Sequence, residues 1–277
     1  MTLPAFSEAG QGATAVLLLH GVGGGRAIWS DAASGTASAI AAAGFRAVAI
    51  DFPGYGDSPG LPTLDAMVQS VLVMVAHLGA PRTVLLGHSM GGMVAQELAA
   101  RAPQAVAGLV LACTSAFFGK ADGAWQASFI AERLAPLDAG LGMAGMADRL
   151  VPRLVSPQAP ASALKIARDT MSRVPEATYR QALPAIAGFD RREALAALRV
   201  PTLLLAAEHD RTAPPEVMQR MAARVPGGEY VCLSGAGHIA NVEAPAAFNA
   251  AVVAFLQRHF NQVSGDTRCT SPATHRR

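Results

Sequence analysis

Gly87-His88-Ser89-Met90-Gly91 sets a hydroxyl between glycines where an apolar run, Val84 to Leu86, gives way to a helical pattern. The spacing G-x-S-x-G suits a tight strand-to-helix turn. A serine there takes a strained backbone conformation that projects its oxygen from the sheet, and glycines on either side remove side chains that would collide across the turn. The chemistry on offer is nucleophilic attack. The N–H of Met90 opens the following helix, where amides lack partners and carry partial positive charge, so it suits an oxyanion. A chain with 27 glycines can meet this pattern with an idle serine, and the placement at a strand end is what favours the nucleophile.

A serine hydroxyl needs a base. Of seven histidines, His238 lies in the loop Ser234-Gly235-Ala236-Gly237 that follows the last apolar run. A loop at the C-terminal edge of a sheet is where a base reaches Ser89. The base needs an orienting acid, and Glu208-His209-Asp210 follows another apolar run. Asp210 can accept from His238, with Glu208 as its rival. The order Ser89, Asp210, His238 is that of a nucleophile–acid–base triad. A second oxyanion donor is available in His20-Gly21-Val22-Gly23-Gly24, whose backbone can turn the Val22 N–H toward the same point. Glycines after a first strand also suggest a dinucleotide site. However, in G-x-G-x-x-G the third glycine would be Arg26 or Ile28, and Asp51 sits in a turn, so that reading fails.

Positioning these residues takes strands that end near one another. Apolar runs at Ala15–Leu19, Ala47–Ile50, Thr83–Leu86, Gly108–Ala112, Thr202–Ala206 and Tyr230–Leu233 read as strands buried on both faces. Helical patterns cover Ser34–Ala43, Leu64–Leu78, Met90–Arg101, Pro215–Arg224 and Pro245–Arg258. The alternation predicts an α/β fold with a mostly parallel sheet flanked by helices. It stops between Ala116 and Gly188, which reads as an all-helical insertion of short helices punctuated by Pro136, Pro152, Pro157, Pro160, Pro175 and Pro184. The expected organisation is a core of residues 1–115 and 189–260, a helical cap at 116–188 and a disordered tail at 261–277.

Composition is consistent with this. The chain has 277 residues, 51% hydrophobic and 15% charged, enough for a sizeable core, and its net charge of +2 is scattered. No nucleic-acid footprint, signal peptide or membrane span is read, so the expectation is a cytoplasmic protein, monomer or homodimer. Cys113 and Cys232 fall in apolar runs and read as inert buried thiols, and with Cys269 they have no metal-ligand spacing.

LLLHGVGGG (17–25), DFPGYGDS (51–58), LLGHSMGGMVAQELA (85–99), VPTLLLAAEHDRTAPPE (200–216) and GAGHIANVEAP (235–245) together resemble the α/β-hydrolase superfamily from His20 to about Phe260. The resemblance implies an eight-stranded, mostly parallel sheet, a helical cap, no cofactor or metal, and the Val22 and Met90 amides as oxyanion hole. Members usually carry two strands before the His-Gly loop. Only residues 1–14 precede that strand here, so a shortened sheet edge is expected. MADRLVPRLVSP (146–157) and FDRREALAALRVPTLL (189–204) are similar to the branch that opens 3-oxoadipate enol-lactone. Carbon–carbon hydrolases of the fold usually have Asn where His88 stands, and dehalogenases need an acid where Ser89 stands.

The expected function is therefore a serine hydrolase of a small carboxylic ester or lactone. A carbon–carbon hydrolase and a non-enzymatic ligand-binding member of the fold are the alternatives. Trp125, Phe129, Met146 and Arg149 are candidate pocket residues, with Phe117, Phe118, Leu141, Met143 and Met171 as further apolar candidates and Arg153 as a second carboxylate partner.

Overall fold

The structure, a computed structural model, describes residues 2–119 and 123–261. Seven strands form one sheet: β1 (Phe6–Ala9), β2 (Thr14–Leu19), β3 (Arg46–Ile50), β4 (Arg82–His88), β5 (Gly108–Ala112), β6 (Thr202–Ala207) and β7 (Glu229–Leu233). Their order is β1-β3-β2-β4-β5-β6-β7. Only the β1–β3 pairing is antiparallel. The eight strands implied by resemblance are thus seven among the described residues. Among the described residues ahead of β2, the strand is β1, on the outer edge of β3.

All six residues of β2 are buried. Successive side chains of a strand face opposite sides, so Leu17 and Leu19 need cover on one face and Leu18 on the other. Helices supply both. They are α1 (Thr36–Ala42), α2 (Leu64–Leu78), α3 (Met90–Arg101), and the four helices between β5 and β6: α4 (Ala124–Asp138), α5 (Gly142–Leu154), α6 (Ala161–Ser172) and α7 (Glu176–Ile186). After β6 come α8 (Pro215–Arg224), α9 (Ala240–Glu243) and α10 (Pro245–Phe260). Helix α2 starts at Thr63, whose side chain accepts from the Ala66 N–H at 3.1 Å, and stops at left-handed Gly79. Helix α3 is buried at every position from Met90 to Ala99, and its two polar residues there are bonded: Gln96 donates to Gly92 O and Ser115 O, and Glu97 pairs with Arg101 and Arg191.

Three sequence expectations change. Strand β7 is a half-exposed edge strand, and Cys232 in it is exposed rather than buried. Pro136, Pro152 and Pro184 lie inside α4, α5 and α7 rather than between helices. Each sits in the last turn, where it gives up its own N–H bond to the carbonyl four residues back and leaves the helix only a residue or two to run. Pro160 and Pro175 do precede helices, at the N-caps of α6 and α7. The expected tail falls outside the described residues except for Asn261. Phe117 forms a bridge to Asp190, and the Phe118 N–H donates to Phe189 O at 2.9 Å, so the two ends of the helical insertion are tied together.

Candidate active site

Ser89 has φ 52° and ψ −117° between β4 and α3. A non-glycine residue there costs on the order of 1–3 kcal/mol and persists only where surroundings impose it. Here the Ser89 N–H donates to Ala112 O at 3.0 Å, while Ser89 O accepts from the Thr114 hydroxyl at 2.7 Å and the Gly92 N–H at 2.9 Å. The flanking glycines are required by close approach. A Cβ on Gly87 would stand 2.3 Å from Gly91 O, and one on Gly91 would stand 2.2 Å from Leu19 O. The turn is therefore pressed against the end of β2.

Ser89, His238 and Asp210 meet. His238 Nε2 lies 3.1 Å from Ser89 Oγ, and His238 Nδ1 lies 2.8 Å from Asp210 Oδ2. The other carboxylate oxygen of Asp210 accepts from the Thr212 and Ala213 N–H groups at 2.7 and 2.9 Å. Asp210 is fully committed and buried. Glu208, its rival, is elsewhere: its carboxylate accepts from Ser234 Oγ at 2.7 Å and the Gly235 N–H at 2.8 Å, bonds that push its pKa down. Cys113, at φ 46°, is buried against Asp210. Burial pushes its thiol well up, and the neighbouring carboxylate adds to this, so it is a poor nucleophile.

Three groups hold the His238 loop, and sequence reading assigned none of them. His88 Nε2 donates to His238 O at 2.7 Å, which fixes its proton on that nitrogen. Burial, with His238 beside it, pushes His88 down to about 4. The His238 N–H donates to Leu154 O at 2.7 Å, a carbonyl of α5. The Glu243 carboxylate is buried and accepts from Ser156 N–H (2.7 Å), Gly237 N–H (2.9 Å) and Ile239 N–H (3.1 Å). It grips the loop on both sides of the histidine. The one sequence signal was an acid five positions after His238, with no sign of three amides converging on it.

Strand order reverses between β2 and β4, so the loops leaving these adjacent strands diverge and open a crevice at their C-terminal ends. Met90 is the first residue of α3, and its N–H has no carbonyl four residues back within the helix. On the β2 side, Gly24 N–H donates to Gly21 O at 3.0 Å, and His20 Nδ1 donates to the same oxygen at 2.8 Å. With its carbonyl end held twice, the Gly21–Val22 peptide has its N–H end pointing the opposite way, since the peptide is trans and planar. His20 Nε2 accepts from Phe52 N–H at 3.1 Å, so the imidazole is neutral, and burial pushes its pKa down. Asp51, the residue weighed as a ribose ligand, is occupied by the backbone and guanidinium of Arg26.

Ser89 and His238 open on a cavity of about 320 Å³. Phe117, Phe118, Trp125, Phe129 and Met171 line it, as expected. Phe118, Trp125 and Phe129 form one aromatic group with ring centroids 5.0 to 5.4 Å apart. Leu141 and Met143 do not reach this cavity, and neither do Met146 and Arg149. Helix α5 turns Leu150 and Leu154 to the wall between two cavities. Met146, Arg149 and Arg153 lie round the helix from that stripe and line a second cavity. Sequence also missed Arg133, which lines both cavities with its guanidinium 4.2 Å over Phe129. Among the described residues no His, Cys, Asp or Glu cluster is arranged to hold a metal, and no helix is long and apolar enough to cross a membrane.

Comparison with known proteins adds to this geometry. The sequence model of the alpha/beta hydrolase fold matches residues 14–245. The chain is 31% identical to the dihydrolipoyllysine-residue acetyltransferase component of the acetoin cleaving system of Pseudomonas putida, over 92% of this chain and 66% of that protein, just under two thirds of its length. It is 29% identical to 3-oxoadipate enol-lactonase 2 of Acinetobacter baylyi, over 76% of this chain and 78% of that one. A thermophilic esterase from Thermogutta terrifontis superposes with a TM-score of 0.79 at 30% identity, covering 92% of this chain and 93% of the esterase.

Proposed function

For a chain that belongs to the alpha/beta hydrolase family, we propose the function of a serine hydrolase that cleaves a small carboxylic ester or lactone through an acyl-enzyme. The observation that carries this reading is the relay from Ser89 Oγ through His238 to Asp210, at 3.1 and 2.8 Å, with the serine held in a strained turn. The esterase and enol-lactonase likenesses support the substrate class.

The Asp210 carboxylate accepts from His238 Nδ1–H and so leaves Nε2 free to accept the serine proton. Ser89 Oγ attacks the carbonyl carbon as His238 takes that proton. Negative charge gathers on the carbonyl oxygen, where the Met90 and Val22 N–H groups receive it. Donors fixed beforehand by a helix start and a pinned turn need no reorganisation as charge develops. Collapse expels the alcohol oxygen, which takes the proton from His238. In a lactone this oxygen stays tethered to the acyl group. A water then gives its proton to His238 and attacks the acyl-enzyme, and Ser89 leaves with its proton restored. Helices α4 to α7 serve as a cap, and the aromatic group of Phe118, Trp125 and Phe129 offers an apolar wall that suits a neutral or mixed substrate beside the reacting carbonyl.

The test is Ser89→Ala. It is expected to abolish fluorophosphonate labelling and to lower p-nitrophenyl butyrate turnover by at least about 10⁴-fold, with the melting curve retained. Labelling that persists in the variant places the nucleophile elsewhere and refutes the assignment.

A further inference from the structure

The second cavity, about 410 Å³, differs from the one at Ser89 in chemistry. Arg133, Arg149, Arg153 and Arg211 line it with His209, and Glu132 is the only acid among its lining residues. Four arginines thus line it against one glutamate, whose contact with Arg153 is long at 3.5 Å.

This clustering is not how the chain treats its other arginines. Arg26, Arg46, Arg101, Arg168, Arg180, Arg191, Arg192, Arg224 and Arg258 are ion-paired, and Arg82 and Arg199 donate to carbonyls. Among the described residues, the arginine side chains with neither kind of partner are Arg133, Arg149, Arg173, Arg211 and Arg220, and three of these line this one cavity. Arg133 is also half-buried, and burial together with Arg153 pushes its pKa down. Like charges gathered in a concavity repel one another and focus a field that a bound anion relieves. Guanidinium forks match the oxygens of carboxylates and phosphates.

We propose that this cavity is a binding site for a multiply charged oxyanion, a phosphate ester or a polycarboxylate, seated apart from the carbonyl at Ser89. The position gives the site a route to the chemistry. Arg133, Leu150, Leu154 and Thr212 line both cavities. Arg211 and Thr212 belong to the loop that carries Asp210, and the Thr212 N–H is one of that carboxylate's donors. An anion on Arg149 and Arg211 is either the far end of a long substrate or a separate effector that leans on the acid's loop.

The binding test does not depend on turnover. Pyrophosphate and citrate are titrated calorimetrically into the Ser89→Ala protein at ionic strength held constant with sodium chloride. Saturable binding at one site is expected. The Arg149→Gln/Arg211→Gln pair should weaken it by about tenfold or more, the scale of losing charge-assisted hydrogen bonds. Arg220→Gln, an unpaired arginine outside the cavity, should leave it unchanged. Absence of saturation, or an equal loss in the Arg220 variant, marks unspecific surface charge and overturns the site.

Turnover in the wild type then separates the two sources. If the anion is carried on the substrate, mono-p-nitrophenyl adipate is preferred to p-nitrophenyl hexanoate, and the preference disappears in the arginine pair variant. If it is a free effector, pyrophosphate changes p-nitrophenyl butyrate turnover saturably in the wild type and not in that variant.

Discussion

The strand-end site and the helical insertion above it are built on opposite terms. At the strand ends, Asp210 uses both carboxylate oxygens, Glu243 accepts three amides, and His20 and His88 have their protons placed by their partners. In the insertion, Trp125 and Leu141 are two of the three large apolar side chains exposed among the described residues, the Tyr179 hydroxyl is buried without a partner, and Arg133 and Arg149 are unpaired. Chemistry needs atoms held to a fraction of an ångström, and recognition needs surface that a ligand can finish. The contrast is one of placement: the groups that fix Ser89, Asp210 and His238 are paired, while Tyr179, Arg133 and Arg149 stand unpaired beside the cavities.

The largest expected effect breaks the strand-end network. Asp210→Asn should lower kcat by up to about 10⁴-fold, because the amide favours the wrong imidazole tautomer. Glu208→Gln, which loses only exposed bonds to Ser234 and Gly235, should stay within a few-fold. Steady-state kinetics on one ester decide it, and a reversal of the two effects would move the acid to Glu208.

A second pair of substitutions sharpens the contrast inside the insertion. Met146 is 1% exposed and Trp125 is 43% exposed. Met146→Ala empties packed space and should cost about 2–5 kcal/mol, with little change in substrate ranking. Trp125→Ala should leave the melting temperature nearly unchanged and alter the preference between short and bulky acyl groups, since its ring forms cavity wall. Melting curves run beside an ester panel test both, and a Trp125 variant that unfolds early without changing the ranking would make that ring part of the packing.

The smallest effect is in acid. His88 is held neutral down to about pH 4, and burial pushes His20 in the same direction. The unfolded chain takes up these protons from about pH 6.5, the ordinary histidine value. Between those limits the unfolded state binds more protons, so this contribution is full above about pH 6.5 and is lost as pH falls toward 4. His88→Gln keeps a donor without the titration. Its melting temperature should therefore fall less steeply over that window, by a few degrees in total. Parallel acid limbs for the two proteins would assign the sensitivity to other groups.

What could be read from sequence follows from how far each signal reaches along the chain. The buried strands were legible because residues such as Val16 to Leu19 are apolar without a break, which only a sheet covered on both faces requires. Strand β7 misled for the same reason: Tyr230 to Leu233 look alike, yet the strand has an open edge and Cys232 faces out. The meeting of Ser89, Asp210 and His238 was legible because each follows a strand and the ends of parallel strands lie together. The Leu154 carbonyl on His238, the Ser156 amide on Glu243 and the meeting of Arg133 with Arg211 at one cavity join residues tens of positions apart. No local spacing encodes such meetings. The assignment of Met146 and Arg149 to the Ser89 cavity failed on the same point, since it depended on the face α5 would turn inward.

Glu243 has one further consequence. Its carboxylate joins the Ser156 amide, just past α5, to the loop of His238, and the neighbouring Leu154 carbonyl takes the histidine's own N–H. The seam between insertion and sheet, drawn along the chain, therefore cuts through the fixings of the base. A chimera that exchanged helices α4 to α7 for those of a relative would inherit the nucleophile and the acid intact but would leave the histidine loop without two of its anchors. To be transplantable, a foreign insertion must arrive with a carbonyl and an amide at those two places, whatever pocket it brings.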